Sequence, residues 1–136
     1  MNITKNFSTV SDPKIFGQST KMVENVFRII DHLELTIRHK FGTTIITSGL
    51  REKSLNDTLD GSAKNSQHLT GEAMDYYCPG KDIKEVFEWA KNNCDYDQLI
   101  LELDQGVIHH SLKENNNRKQ ALARNKVNGN LVYEPV

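Results

Sequence analysis

The sequence predicts an α+β domain, with helices packed on one face of a small mixed or antiparallel sheet. Three observations predict it. Met22, Val26, Ile30, Leu33 and Ile37 recur at spacings of three and four, the apolar stripe of a helix. Thr43 to Thr47 is β-branched throughout and reads as a buried strand. Gln98 to Leu103 and Val107 to Leu112 are apolar runs separated by Asp104-Gln105-Gly106, the spacing of a hairpin.

Taken in order, residues 1–18 are polar, broken by Pro13 and Gly17, and read as an irregular lead-in. Ser19 or Thr20 is placed to cap the first helix, which runs to about Lys40, with Gly42 as its stop. After the first strand the chain leaves at a turn, Ser48-Gly49-Leu50-Arg51. Residues 52–67 are rich in Asn, Asp, Ser and Gly and read as a loop, with a helical turn expected near Leu55 to Leu59. Ala73 to Cys78 reads as a short strand closed by Pro79-Gly80. Asp82 to Asn93 reads as a second helix with Ile83, Val86, Phe87 and Ala90 inward and Trp89 as filler. The remaining tail is mostly polar until Leu131-Val132-Tyr133.

The chain has 136 residues, which fits one domain spanning 1–136. The net charge of -1 gives no argument for nucleic acid or an anionic surface. Locally, Lys113 to Lys126 is basic. It reads as a solvated tail or exposed helix face, with contact to an anionic polymer as the functional alternative. Cys78 and Cys94 lack metal-ligand or redox spacing, so reduced thiols are expected. The N-terminus lacks the apolar run of a signal peptide, and no stretch approaches the roughly 20 apolar residues of a membrane span. The expectation is a protein that is cytoplasmic as synthesised, without a membrane or nucleic-acid partner; the sequence does not give the oligomeric state, with a monomer favoured.

Five histidines are candidate metal ligands. His32 and His39 sit seven apart on the first helix and read as surface or interface residues. His68 ends a polar loop, and Asp75 follows seven residues later in a strand, with Gly71 between them allowing a tight bend. An imidazole and a carboxylate are a common pair for zinc. A third ligand would come from His109 or His110. Side chains alternate along a strand, so only one of the two faces a given site, and alternation alone does not choose. Three protein ligands with one open position is the catalytic zinc pattern. A nearby carboxylate would accept a proton from water, and Glu102 and Asp104 are the local candidates. Arg51 is placed to hold an anionic substrate end or a developing oxyanion.

These residues resemble a known family. Ser66-Gln67-His68-Leu69-Thr70-Gly71-Glu72-Ala73-Met74-Asp75 matches S-x-H-x-x-G-x-A-x-D, the signature of zinc D-Ala-D-Ala carboxypeptidases and related phage L-alanyl-D-glutamate endopeptidases (peptidase M15-like, with a hedgehog-type zinc peptidase fold). Ser48-Gly49-Leu50-Arg51 resembles the family's S-G-[YL]-R turn, with Asn56 its following Asn. Asp97-Gln98-Leu99-Ile100 and Glu102 resemble its D-Q-L-I-x-E strand. Ile108-His109-His110-Ser111 resembles its W-V-H-V-S strand, in which the His before x-S is the ligand. More loosely, Thr4 to Phe7, Arg118 and Asn128-Gly129 resemble the compact phage members.

The resemblance implies one zinc ion (Zn2+) per chain on His68, Asp75 and His109. Arg51 would contact the substrate carboxylate or carbonyl, and Ser66 would shape the site or touch substrate. Glu102 would be the general base, with Asp104 as second choice. The partner would be a peptidoglycan stem peptide. The reaction would be amide hydrolysis of the carboxypeptidase or L-Ala-D-Glu endopeptidase type, as in an endolysin of a bacteriophage or prophage that reaches the cell wall after release. Two positions depart from the family: Val107 stands where it has Trp, and Gly106 stands where other members keep their general base. Those departures admit an alternative, a zinc-binding but inactive binding module or virion component of the same fold.

Overall fold

The structure, a computed structural model, describes residues 20–49 and 67–136. The expected lead-in, the helical turn near Leu55 to Leu59, and Ser19, Arg51, Asn56 and Ser66 lie outside the described residues.

Helix α1 (Thr20–Leu33) continues through a π-helical turn (Glu34–Arg38) and a last helical turn (His39–Phe41). Val26, Ile30, Leu33 and Ile37 are fully buried along the predicted stripe, and Ile29 widens it, whereas Met22 is only partly buried. Within the π-helical turn, Thr36 Oγ1 donates to the His32 carbonyl at 2.7 Å, in competition with the helix ladder. Helix α2 (Ile83–Asn93) starts at Asp82, whose carboxylate accepts the Lys84 N–H at 2.9 Å. Val86, Phe87 and Ala90 of α2 are buried.

Among the described residues six strands form one sheet: β1 (Ile45–Ser48), β2 (Ala73–Tyr77), β3 (Gln98–Glu102), β4 (Val107–Ser111), β5 (Gln120–Val127) and β6 (Asn130–Pro135). Their order is β1-β2-β4-β3-β5-β6. Only β3 and β5 run parallel, so the sheet is mixed and the class is α+β. Antiparallel pairing sets Met74 opposite His110 and Tyr76 opposite Ile108, with Leu99 and Leu101 on the same side. Met74, Tyr76, Leu99, Leu101 and Ile108 share one core with the inner faces of α1 and α2. Alternation turns Asp75, Ile100, Glu102 and His109 to the other side of the sheet. The helices therefore cover one face, and the candidate ligands of β2 and β4 occupy the opposite one.

Two expectations need correction. The first strand is not buried throughout: Ile46 is buried and Thr47 exposed, because β1 is an edge strand with a bulge before Ser48. The basic segment from Lys113 is neither a solvated tail nor a helix face, since it contains most of β5, which pairs with β6. Asn128 (φ +52) and Gly129 (φ +81) make the two-residue turn between them, the left-handed pair that a tight hairpin requires. Antiparallel pairing ends β4 beside the start of β3, so residues 112–119 suffice to carry the chain round to the free edge of β3. Asp97 fixes that passage. Its N–H donates to the Ser111 carbonyl at 2.8 Å, and its carbonyl accepts from the Gln120 N–H at 2.9 Å. Its buried carboxylate takes the Arg118 guanidinium at 2.6 Å.

Candidate metal centre

The tight turn ahead of β2 carries His68. The Gln67 carbonyl accepts the Glu72 N–H at 2.9 Å, and Gly71 adopts φ +80. A Cβ on Gly71 would lie 2.8 Å from the Met22 carbonyl oxygen and 2.9 Å from Val26 Cγ2, so the turn can seat against α1 only with glycine there. The Asn25 amide adds a bond of 3.0 Å to the Thr70 carbonyl. The Gln67 amide donates to Asp97 Oδ2 at 3.0 Å, which ties the residue preceding His68 to the start of β3.

Asp75 and His109 are direct cross-strand partners on β2 and β4. Their pairing, together with the turn, brings three donors together. His68 Nε2 lies 3.1 Å from Asp75 Oδ1, and His109 Nδ1 lies 3.0 Å from the same oxygen. All three ligand atoms fall within 4.8 Å of one another. Bonds of about 2.1 Å on a tetrahedron put neighbouring ligand atoms about 3.4 Å apart, so the spacing suits a zinc-sized ion. The other nitrogen of His68, Nδ1, lies 2.8 Å from the Gly49 carbonyl. A carbonyl only accepts, so Nδ1 carries a proton and a neutral ring presents its lone pair at Nε2. A lone pair and a carboxylate oxygen at that distance need a cation between them, either a proton or a metal. Burial alone would push the Asp75 carboxyl up, but His68 and His109 outweigh it and hold it well below the usual carboxylate range.

His110 faces the helices. The Tyr76 hydroxyl lies 3.0 Å from its Nδ1, and its Nε2 lies 2.9 Å from the Asp95 carbonyl. The carbonyl requires Nε2–H, so Nδ1 accepts from Tyr76 and both ring nitrogens are satisfied. Burial pulls the pKa of His110 down to about 3. His32 accepts the Asp95 N–H at 3.1 Å, and His39 is exposed. Cys78 and Cys94 are free, buried thiols.

Glu102 lies on the face of Asp75 and His109. Burial and the charge of Asp75 push its carboxyl up to about 7, against the pull of Arg124 and His109. Arg124 is buried and meets Glu102 Oε2 at 3.1 Å. It also forks onto Asp104, with Nε–Oδ1 and Nη2–Oδ2 both 2.9 Å. Gly106 has φ +68 in the β3–β4 turn, a backbone state that residues with side chains rarely adopt. That conformation accounts for a glycine at this position.

A profile of the peptidase M15 family matches residues 7–111. The chain belongs to the peptidase M15 family. All three converging side chains of this M15 peptidase fall inside the matched region, and Arg124 falls beyond it. No curated protein and no solved structure matches the chain. Among the described residues no helix is long and apolar enough to cross a membrane.

Arg124 carries no signal of its own in a basic segment whose composition reads as solvated. The Asn128-Gly129 pair was the signal that would have placed it on a hairpin strand. The roles of Asp97 and the Gly49 carbonyl had no comparable signal, since both depend on contacts distant in sequence.

Proposed function

We propose that this M15 peptidase is a zinc enzyme that hydrolyses an amide bond in peptidoglycan stem peptides, of the D-Ala-D-Ala carboxypeptidase or L-Ala-D-Glu endopeptidase type. The observation that carries the proposal is the convergence of His68 Nε2, Asp75 Oδ1 and His109 Nδ1, with the other nitrogen of His68 committed to a carbonyl. When bound there, zinc supplies Lewis acidity toward a scissile carbonyl and an attacking water.

The chain's own residues divide the remaining work. Glu102 accepts the proton of the attacking water and returns it to the leaving amine, a role that its place on the sheet face of Asp75 and His109 supports. Asp104 was the other candidate for this role. Both of its oxygens are engaged by Arg124, which favours an anchoring role instead. The Gly49 carbonyl keeps the His68 ring in the tautomer that offers Nε2. Arg51 and Ser66 hold the substrate in this reading, which rests on their places in the motif.

The test offers two synthetic stem peptides to the zinc-loaded protein, one ending in D-Ala-D-Ala and one containing L-Ala-D-Glu. Release of D-alanine or of a shortened stem assigns the bond. If both peptides stay intact while zinc is bound, the same metal centre belongs to an inactive binding module.

A further inference from the structure

The β5–β6 hairpin lies outside the matched region, yet it delivers a charge to the site face. Asp97 clamps the chain at Ser111, Arg118 and Gln120, which sets β5 parallel to β3. That register puts Arg124 directly beside Glu102. The guanidinium is buried, and it divides its nitrogens. Nε and Nη2 bind Asp104 in the β3–β4 turn, and Nη1 remains for Glu102 Oε2 at 3.1 Å.

We infer that Arg124 is a positioning residue for Glu102, with Asp104 as the anchor that aims it. The inference rests on the zinc peptidase reading above. A glutamate side chain has three rotatable bonds, and a buried guanidinium held from the far side by Asp104 restricts them. It fixes one carboxylate oxygen and favours the ionised form that can accept a proton. Among the described residues, the charged groups around Glu102 are Asp75 on β2, His109 on β4, Asp104 in the turn and Arg124 on β5. A lysine would keep the charge but not the two-sided fork.

The test uses zinc-loaded wild type, Arg124→Gln and Arg124→Lys, each checked for folding and zinc content. Arg124→Gln is expected to keep one zinc per chain and leave KM within about twofold. Its kcat should fall about tenfold or more, part of the roughly 10²–10⁴-fold that a positioned general base supplies. Its acid limb should move up by about one pH unit or more, because an opposite charge has been removed. Arg124→Lys should recover the acid limb but not the full kcat. An unmoved acid limb with wild-type kcat in folded, zinc-loaded Arg124→Gln overturns the inference, and so does loss of zinc. If Arg124→Gln does not fold, Arg124→Lys decides: reduced kcat with zinc retained supports positioning, and wild-type kcat contradicts it. If wild type cleaves no stem peptide, the function reading fails separately. The 13C resonance of the Glu102 carboxyl then still reads the pairing in wild type and whichever variant folds. A broadened or displaced signal with an altered titration midpoint in the variant supports positioning, and an unchanged one overturns it.

Discussion

Asp75 and His109 stand opposite each other on β2 and β4, and a single carboxylate oxygen lies 3.0 Å from the His109 ring and 3.1 Å from that of His68. The strand pair fixes two donors and the turn at Gly71 brings the third. Asp75→Asn keeps the shape and removes the charge on which both imidazoles converge. Outer partners of metal-bound histidines typically cost ten- to a hundredfold in affinity, so a direct ligand should cost more than about a hundredfold. Competition with a chromophoric chelator measures this.

The two adjacent histidines separate cleanly. His109→Ala should abolish zinc binding while leaving the fold intact. His110→Ala should keep zinc but lose about 2–4 kcal/mol of stability, because it leaves a void and strands the Tyr76 hydroxyl. Urea unfolding of the two variants, with zinc content, distinguishes them.

His110 also sets a pH dependence. Its folded pKa is about 3 against 6.5 for the free side chain. Between those values the unfolded chain binds a proton that the folded one refuses. Its contribution is therefore fully present above about pH 6.5 and is lost as pH falls toward 3. Glu102 acts in the opposite sense, since its raised pKa favours the metal-free fold below 4.5 and loses that contribution as pH rises through about 7. Comparing wild type with His110→Asn isolates the histidine: stability should fall less between pH 7 and pH 4 in the variant. Parallel curves would show that His110 is not the titrating group.

Gly71→Ala tests the turn that carries His68. The new Cβ would meet backbone at 2.8 Å in a left-handed conformation, and neither can relax cheaply. A loss of about 1–3 kcal/mol is expected, together with weaker zinc binding as His68 shifts. Gly106→Ala, at φ +68 but with open space around it, should destabilise less and leave zinc affinity unchanged. Thermal unfolding with and without zinc measures both.

Much of the fold was legible because its helices and central strands carry strong periodicity. Val26 through Ile37 and Val86 through Ala90 bury the residues their spacing predicts. The parallel β3–β5 pair was not legible, because it depends on Asp97 gripping Arg118 and Gln120 across a loop. At the site, alternation could say that only one of His109 and His110 faces a metal. The choice between them needed the motif, and the register of β2 with β4 supplies its physical basis. The link between Glu102 and Asp104 stayed hidden because it runs through Arg124, two strands later in the chain.

Glu102→Gln separates chemistry from metal binding. Removing a general base should lower kcat by about 10²–10⁴ while zinc stays bound. Asp104→Asn, which weakens the anchor of Arg124, should have a smaller effect on kcat. Equal rates for wild type and Glu102→Gln would remove Glu102 from the reaction.

The most direct measurement is digestion of purified peptidoglycan by the zinc-loaded protein, with and without chelator, read by mass spectrometry. Cleaved stem peptides should form with zinc present. They should be absent with chelator, return when zinc is restored, and be absent with Asp75→Asn. Cleavage that persists in chelator, or an intact wall with zinc fully bound, would contradict a zinc peptidase built on His68, Asp75 and His109.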